Sequence, residues 1–384
     1  MNDPSNSSEV PKLSEQVPGA TAGPFPQNRF SSDIRSNLSD QEFQLREIAV
    51  GILMDKGLSL IHLGHPEEAL ICFDRVVELN PSWDIGWSGK AAVLKQLGRN
   101  DQALAYLDRA LDLNPLSELL LHVKGNVLEN LGRHEEALAC LDRALELNPR
   151  HPGASLSKGN VLLKLGRHEE ALACFNCALA LDPHNAGAWR AKGNVLGKLT
   201  RHSEALGYFD RALELDPSDK EIWSEKGTTL CALRRYSEAL GVFERVLQLD
   251  SDWFLSWHAK ACVLGALGRH QEALRCFDRA LELDPSRPSW HAKGVTHMRL
   301  NQPRKALDCF DRALELDPGS NEAWHAKGTA LAAQGDHREA LRCFEEAQRL
   351  GHASAADEIE LCRHKLKAVK PKLRRSTKAR GIHG

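Results

Sequence analysis

The sequence predicts an all-α fold assembled from a repeated pair of helices, and three observations carry that reading. Prolines recur at a fixed interval: Pro81, Pro115, Pro149, Pro183 and Pro217 are each 34 residues apart, Ser251 takes the next place, and Pro285 and Pro318 follow after 34 and 33. A period of this length marks a chain of stacked helical units rather than one large core. Within a period two apolar stripes occur at helical spacing, such as Trp189, Gly193, Leu196 and Leu199, then Ala205, Leu206, Phe209, Ala212 and Leu213; each stripe is the buried face of an amphipathic helix. Small residues hold fixed places in both stripes, so that Gly193 and Ala205 let two backbones approach while Phe209 and Trp189 fill the remaining volume.

The elements follow in order. Residues 1–37 are rich in Ser, Pro, Asn and Gly with few large apolar groups, and are expected to be disordered. Ser39-Asp40-Gln41-Glu42 reads as a capping box that opens an extended helix leading into the first unit. Nine units are then expected, at about 50–83, 84–117, 118–151, 152–185, 186–219, 220–253, 254–286, 287–320 and 321–354. Each is helix, turn, helix, turn. Gly166 suits a left-handed cap after a first helix, and Asp216-Pro217 stops a second helix because proline lacks an N–H and disfavours helical geometry in the residue before it. The eighth unit is irregular, with a short entry linker, Pro288, His297 in a leucine place and Pro303 at the turn, and is expected to bend or fray. A stack needs polar ends. Residues 355–370, with Ile359, Cys362, Leu366 and Val369 on one stripe, are expected to cap the last unit, and 371–384 to form a flexible basic tail.

Charge and cysteine usage narrow the function. The formal charge of −2 conceals nine Lys or Arg and no acid from Arg363 onward, leaving a body of about −11 and a tail of +9. Such a body does not coat nucleic acid, and contact with nucleic acid or an anionic membrane is expected only through the tail. Cys72, Cys140, Cys174, Cys276, Cys309 and Cys343 share one repeat position beside apolar neighbours, as packed, reduced thiols do. Cys174 and Cys177 form a lone C-x-x-C with no second pair, so no metal is expected there. Apolar stretches such as residues 48–54 are too short to span a bilayer and no leader pattern is seen, so the protein is expected to be cytoplasmic.

The pattern W-x-x-K-G-x-x-L followed by E-A-L-x-x-F-D-R-A-L-E-L-D-P resembles the tetratricopeptide repeat in its 34-residue register, over about 305 residues. The resemblance implies a right-handed superhelical solenoid of about nine helix-turn-helix units with a C-terminal capping helix. It also implies a scaffold or adaptor that binds a protein or peptide segment in a concave groove lined by the first helices. No catalytic set, cofactor or small-molecule substrate is expected: there is no Gly-rich phosphate loop, and acids and histidines are spread along ladders rather than gathered. Regulatory attachment to a separate enzyme is the alternative.

Unit positions 5, 9, 12 and 13 vary freely among the repeats and fall on one face of the first helix. Asn126, Asn160 and Asn194 at position 9 would form a row of amides able to donate to and accept from a peptide backbone, flanked by His122, Lys164, Arg190 and Lys198. An acidic or extended partner would suit that row. The family's carboxylate clamp is echoed only in part, because His122 stands where a lysine is expected and Ser157 where an asparagine is. His258, His291 and His325 form a second row. Neighbouring helices lie ~8–10 Å apart against zinc–nitrogen distances of ~2.0–2.1 Å, so these histidines are expected to touch a peptide, with affinity for an acidic one rising toward pH 6, and not to hold a metal. A lysine at position 7, from Lys56 to Lys327, is expected to lay its stem on the core and reach a carboxylate. Arg99, Arg133, Arg167, Arg201, Arg235 and Arg269 at the turns are expected to make edge ion pairs with nearby acids.

Overall fold

A computed structural model describes residues 39–379. The segment 1–37 expected to be disordered and the end of the basic tail, 380–384, lie outside the described residues. The described residues form nineteen α-helices. After α1 (Asp40–His62) and α2 (Pro66–Leu79), pairs follow at regular intervals: α3 (Asp84–Gln96) and α4 (Asn100–Leu113), α5 (Glu118–Asn130) and α6 (His134–Leu147), α7 (Pro152–Lys164) and α8 (His168–Leu181), α9 (Ala186–Lys198) and α10 (His202–Leu215). Then come α11 (Lys220–Ala232) and α12 (Tyr236–Leu249), α13 (Phe254–Ala266) and α14 (His270–Leu283), α15 (Arg287–Arg299) and α16 (Pro303–Leu316), α17 (Asn321–Gln334) and α18 (His337–Arg349), and finally α19 (Ala355–Ala379). The expected nine hairpins and one further helix are all present. Two compact units divide the chain, one holding α1–α6 and the other α7–α19.

In the first unit the predicted capping box forms: Ser39 N donates to Glu42 Oε2 at 3.0 Å and Ser39 Oγ accepts from Glu42 N at 3.4 Å. Val50 and Met54 of α1 bury with Phe73, Val76 and Trp83. A second cluster gathers Leu94, Leu107, Leu120 and Val127. Both are the apolar stripes closing on each other.

In the second unit, Phe175, Phe209, Phe243, Phe277, Phe310 and Phe344 are among the most buried side chains. Five of them lie against a glycine of the partner helix. A β-carbon placed on Gly193, Gly227, Gly294 or Gly328 would lie 2.7, 2.7, 2.5 or 2.8 Å from a ring carbon, so the ring occupies the space that a side chain would need. Position 8 of the repeat therefore takes only a glycine or another small residue. The seventh hairpin carries Ala261 in that register, buried opposite Phe277.

Joints between successive hairpins use two contacts. Trp189, Trp223, Trp257 and Trp324 each donate Nε1–H at 2.8–3.0 Å to the carbonyl six residues earlier, on Pro183, Pro217, Ser251 and Pro318. The turn carbonyl left without a helical donor is thereby satisfied. The lysine ladder behaves as expected: Lys226, Lys293 and Lys327 reach Asp210, Asp278 and Asp311 at 2.6 Å, and Lys260 reaches Glu244 at 3.1 Å. In the first unit Lys90 and Lys124 pair likewise with Asp74 and Asp108. At the same register before Lys192 stands Asn176 instead of an acid, and the ammonium lies over the Tyr208 ring at 4.3 Å. The turn arginines make the expected i,i+3 pairs, among them Arg133–Glu136, Arg201–Glu204 and Arg269–Glu272; being solvent-exposed, each adds little.

Left-handed turn residues recur one period apart. Gly64, Gly98, Gly132, Gly166, Gly268 and Gly335 have φ between 72° and 88°, as expected for Gly166. Thr200, Arg234 and Asn301 occupy the same place at φ of 60°, 58° and 55°. A β-branched threonine in this region is strained by contact of its Cβ with the backbone.

The eighth hairpin keeps the contacts of its neighbours despite its irregular sequence. Its irregularities sit where a hairpin tolerates them: the short linker closes through Ser286 N donating to Asp284 O at 2.7 Å, and Pro303 opens α16, where no helical N–H bond is lost. His297 is buried with Nδ1 3.0 Å from Gln302 Oε1, and Phe310 remains fully buried. At the C-terminus Ile359 and Cys362 of α19 bury against Ala340 and Phe344, as a cap should. The helix runs past the expected boundary at 370 to Ala379, so the stretch 371–379 is helical where a flexible tail was expected. Lys372, Leu373, Arg374, Arg375, Lys378 and Ala379 within it are strong helix formers. The cysteines are free, and burial pushes the Cys309 and Cys343 thiols up to about 11.

Two outcomes follow for stability. Replacing Thr200 or Arg234 by glycine relieves the left-handed strain and is expected to stabilise the chain by about 1 kcal/mol each; thermal unfolding that shifts downward for both variants would contradict it. Burial holds His297 below the ordinary histidine range, partly offset by its bond to Gln302. The unfolded chain therefore binds the extra proton, and stability is lost as pH falls through the unfolded histidine value. His297→Leu is expected to flatten the decline in melting temperature between about pH 7 and pH 5.

Candidate functional site

The predicted site residues fall on the first helices of their hairpins, and the structure brings them together differently in each compact unit. On α5 of the first unit, Asn126 Nδ2 lies 3.2 Å from His122 Nε2, one helical turn away, and both side chains are half-buried. That unit also contains a hollow of about 490 Å³ lined by Leu70, Trp87, Lys90 and Tyr106. Trp87 and Tyr106 stack there at 5.7 Å, with the Lys90 ammonium 4.1 Å from the Tyr106 ring centre. Sequence reading passed over this pair. The signal was present in the same spacing of Trp189 and Tyr208, which stack at 5.8 Å.

In the second unit Asn160 is half-buried, while Lys164 and Lys198 are exposed. Arg190 and Asn194 were expected to face a ligand. Instead they hold a carboxylate of their own chain: Arg190 Nε lies 3.0 Å from Glu225 Oε2 and Asn194 Nδ2 donates to Glu225 Oε1 at 2.9 Å. Arg190 also reaches Glu221 at 2.7 Å and Asp219 at 3.7 Å. Asp219 is fixed in turn as the N-cap of α11, accepting from the backbone of Glu221 and Ile222. One guanidinium thus faces three acids. Burial raises the Glu225 carboxyl above the usual carboxylate range despite its bonds to Asn194 and Arg190. The spacing of 35 residues between Arg190 and Glu225, one period plus one, was the available signal for this pairing.

The histidine row is differently placed. His258, His291 and His325 each lie against the core phenylalanine of their own hairpin, with ring centres 5.7, 5.7 and 5.4 Å from those of Phe277, Phe310 and Phe344. His258 Nδ1 is 2.9 Å from Ser289 Oγ on the next first helix. His325 stacks on His352 at 4.1 Å, with Nε2 3.5 Å from Glu358 Oε1. Burial lowers both His258 and His325 below the ordinary histidine range, and His352 lowers His325 further. Their charging is moved to lower pH, which displaces the expected rise in affinity for an acidic partner near pH 6. Among the described residues no group of three or more potential ligands is arranged to hold a metal.

Two adjoining hollows open along this row. One, of about 570 Å³, lies between α13 and α15 and is lined by Cys262, Gly265, Phe277, His291 and Val295, with Arg234 and Arg299 at its rim. The other, of about 330 Å³, lies between α15 and α17 and is lined by Val295, Met298, Phe310, His325 and Thr329. His291 and Val295 belong to both. Val295 exposes its apolar side chain between them.

Arg190→Met is expected to cost about 1–3 kcal/mol, since it leaves a half-buried carboxylate beside other acids. Glu225 already binds its proton more readily in the folded chain, so this penalty is present above its folded value and shrinks as pH falls toward 5. Urea unfolding compared at pH 8 and pH 5 measures it, and Arg190→Met combined with Glu225→Leu is expected to recover most of the loss.

Models of the tetratricopeptide repeat match residues 54–118, 122–186, 190–252 and 291–357, and a second such model matches 254–287. Among curated proteins none matches the chain significantly. Solved structures that resemble it include YrrB, described as a TPR protein with an unusual peptide-binding site, at 28% identity over 49% of this chain and 97% of that one, with a TM-score of 0.42. A tetratricopeptide repeat protein from Parabacteroides merdae is 17% identical over 65% of this chain and 98% of its own, with a TM-score of 0.51. PilF of Pseudomonas aeruginosa is 20% identical over 54% and 94%, with a TM-score of 0.48. No helix among the described residues is long and apolar enough to cross a membrane. With its repeats matched across most of its length and its helices paired accordingly, the chain belongs to the tetratricopeptide repeat family, whose repeats serve as protein-interaction scaffolds.

Proposed function

We propose that this chain is a non-catalytic adaptor that holds a segment of another protein along the first helices of repeats seven to nine. The observation that supports the reading is the pair of adjoining hollows joined by His291 and Val295. A concave apolar surface with a few polar groups is the usual form of a recognition site. Repeats four to six offer less to an acidic ligand than the sequence suggested, because Arg190 and Asn194 already hold Glu225. The half-buried histidines contribute rings and neutral hydrogen-bonding edges rather than charge. Ten unpaired thiols suit a reducing compartment, consistent with a cytoplasmic adaptor.

The test is a pull-down with the intact chain as bait, comparing wild type, Val295→Glu, and the combined Asn126→Ala, Asn160→Ala and Asn194→Ala variant. A carboxylate at Val295 would be buried on binding without a partner, so a bound protein is expected to be lost from that variant by about tenfold or more. The triple variant is expected to retain it. Retention of every partner by Val295→Glu would remove the reading, and loss from the triple variant alone would move the site to the asparagine row.

A further inference from the structure

The hollows also limit the conformation and chemistry of what they hold. Resting on the proposed groove at repeats seven to nine, we infer that its occupant is a proline-rich segment in the polyproline II conformation, with apolar side chains three residues apart and acidic residues beside them. The first argument is spacing. One hollow lies between α13 and α15, the next between α15 and α17, so their centres are separated by one step between neighbouring first helices, ~8–10 Å. A polyproline II chain returns a side chain to the same face every three residues at ~3.1 Å per residue, about 9.3 Å. A β-strand repeats its face at about 6.7 Å and falls short of the second hollow.

Lining gives the second argument. Tyr236, His270, Phe277 and His291 line the first hollow and His291, Phe310, His325 and His352 the second, so aromatic rings surround both. Flat rings suit the flat faces of proline, and a segment already extended loses little freedom on docking. Charge gives the third. Arg234 and Arg299 stand exposed at the rim of the first hollow, and neither forms an ion pair with another described residue. Glu322 is the acid that lines the second. Two cations without carboxylate partners favour acidic residues flanking the first anchor.

The probes are short fluorescein-labelled peptides of one composition, two leucines with prolines and glutamates, in which the leucines stand two, three, four or seven residues apart. A fifth carries lysines in place of the glutamates at the three-residue spacing. Fluorescence anisotropy with the intact chain is expected to show the three-residue acidic peptide binding at least about tenfold more tightly than the others. Val295→Glu is expected to abolish its binding. Arg234→Glu with Arg299→Glu is expected to remove the preference for glutamate over lysine, with circular dichroism confirming that each variant folds. Equal or tighter binding at another spacing would overturn the conformation inferred here, the seven-residue peptide indicating a helical occupant. A preference for lysine would overturn the charge class. If no peptide binds while Val295→Glu still loses its partner in the pull-down, this inference falls and the groove stands; if that loss is also absent, both fall.

Discussion

In six of the nine hairpins one helix presents a glycine where the other places a phenylalanine ring, and the rest keep a glycine or an alanine at that place. A β-carbon on Gly193 or Gly294 would stand only 2.7 or 2.5 Å from the facing phenylalanine, so the ring would have to shift to make room for it. Overpacking of this kind costs about 1–3 kcal/mol in a tight core. Within each compact unit the consequence travels along the chain, because successive hairpins bury their second faces against each other. The lysine at position 7, beside that glycine, reaches the preceding repeat, so one short stretch of helix sets both the packing within a hairpin and the joint to its neighbour.

Framework residues were legible in the sequence for that reason. Gly193, Phe209, Ala205 and the prolines answer to constraints imposed by their own repeat, and repetition displays them many times over. Lys226 and Lys327 were legible too, since the acid they need recurs at a constant distance behind them. Arg190 was not. Its partner Glu225 occurs once in that register, and an exposed position on a helix does not reveal whether the next repeat brings it a ligand of its own. His258 and His325 were placed correctly as a row, yet their burial against Phe277 and Phe344, which changes their acid–base behaviour, depends on how far each helix leans over its partner.

The same distinction separates the two candidate surfaces. Around Arg190 the charges are largely answered within the chain, so a ligand there would have to displace Glu225 and leave a half-buried acid without its partner. Around Val295 the displaced material would be water over apolar rings, which favours association. Binding at the second surface therefore begins from a less satisfied state, a stronger argument than the presence of amides or cations in a row.

The irregular repeats lie close to this surface. Ala261 stands in the glycine register opposite Phe277, the linker before α15 is a residue short, and His297 replaces a leucine. None of these departures breaks a hairpin, since Phe277 and Phe310 remain buried. A uniform repeat would present the same wall between every pair of first helices. Ala261 and Phe277 themselves line the larger hollow, so a departure from the repeat there shapes the surface while the framework beneath it holds.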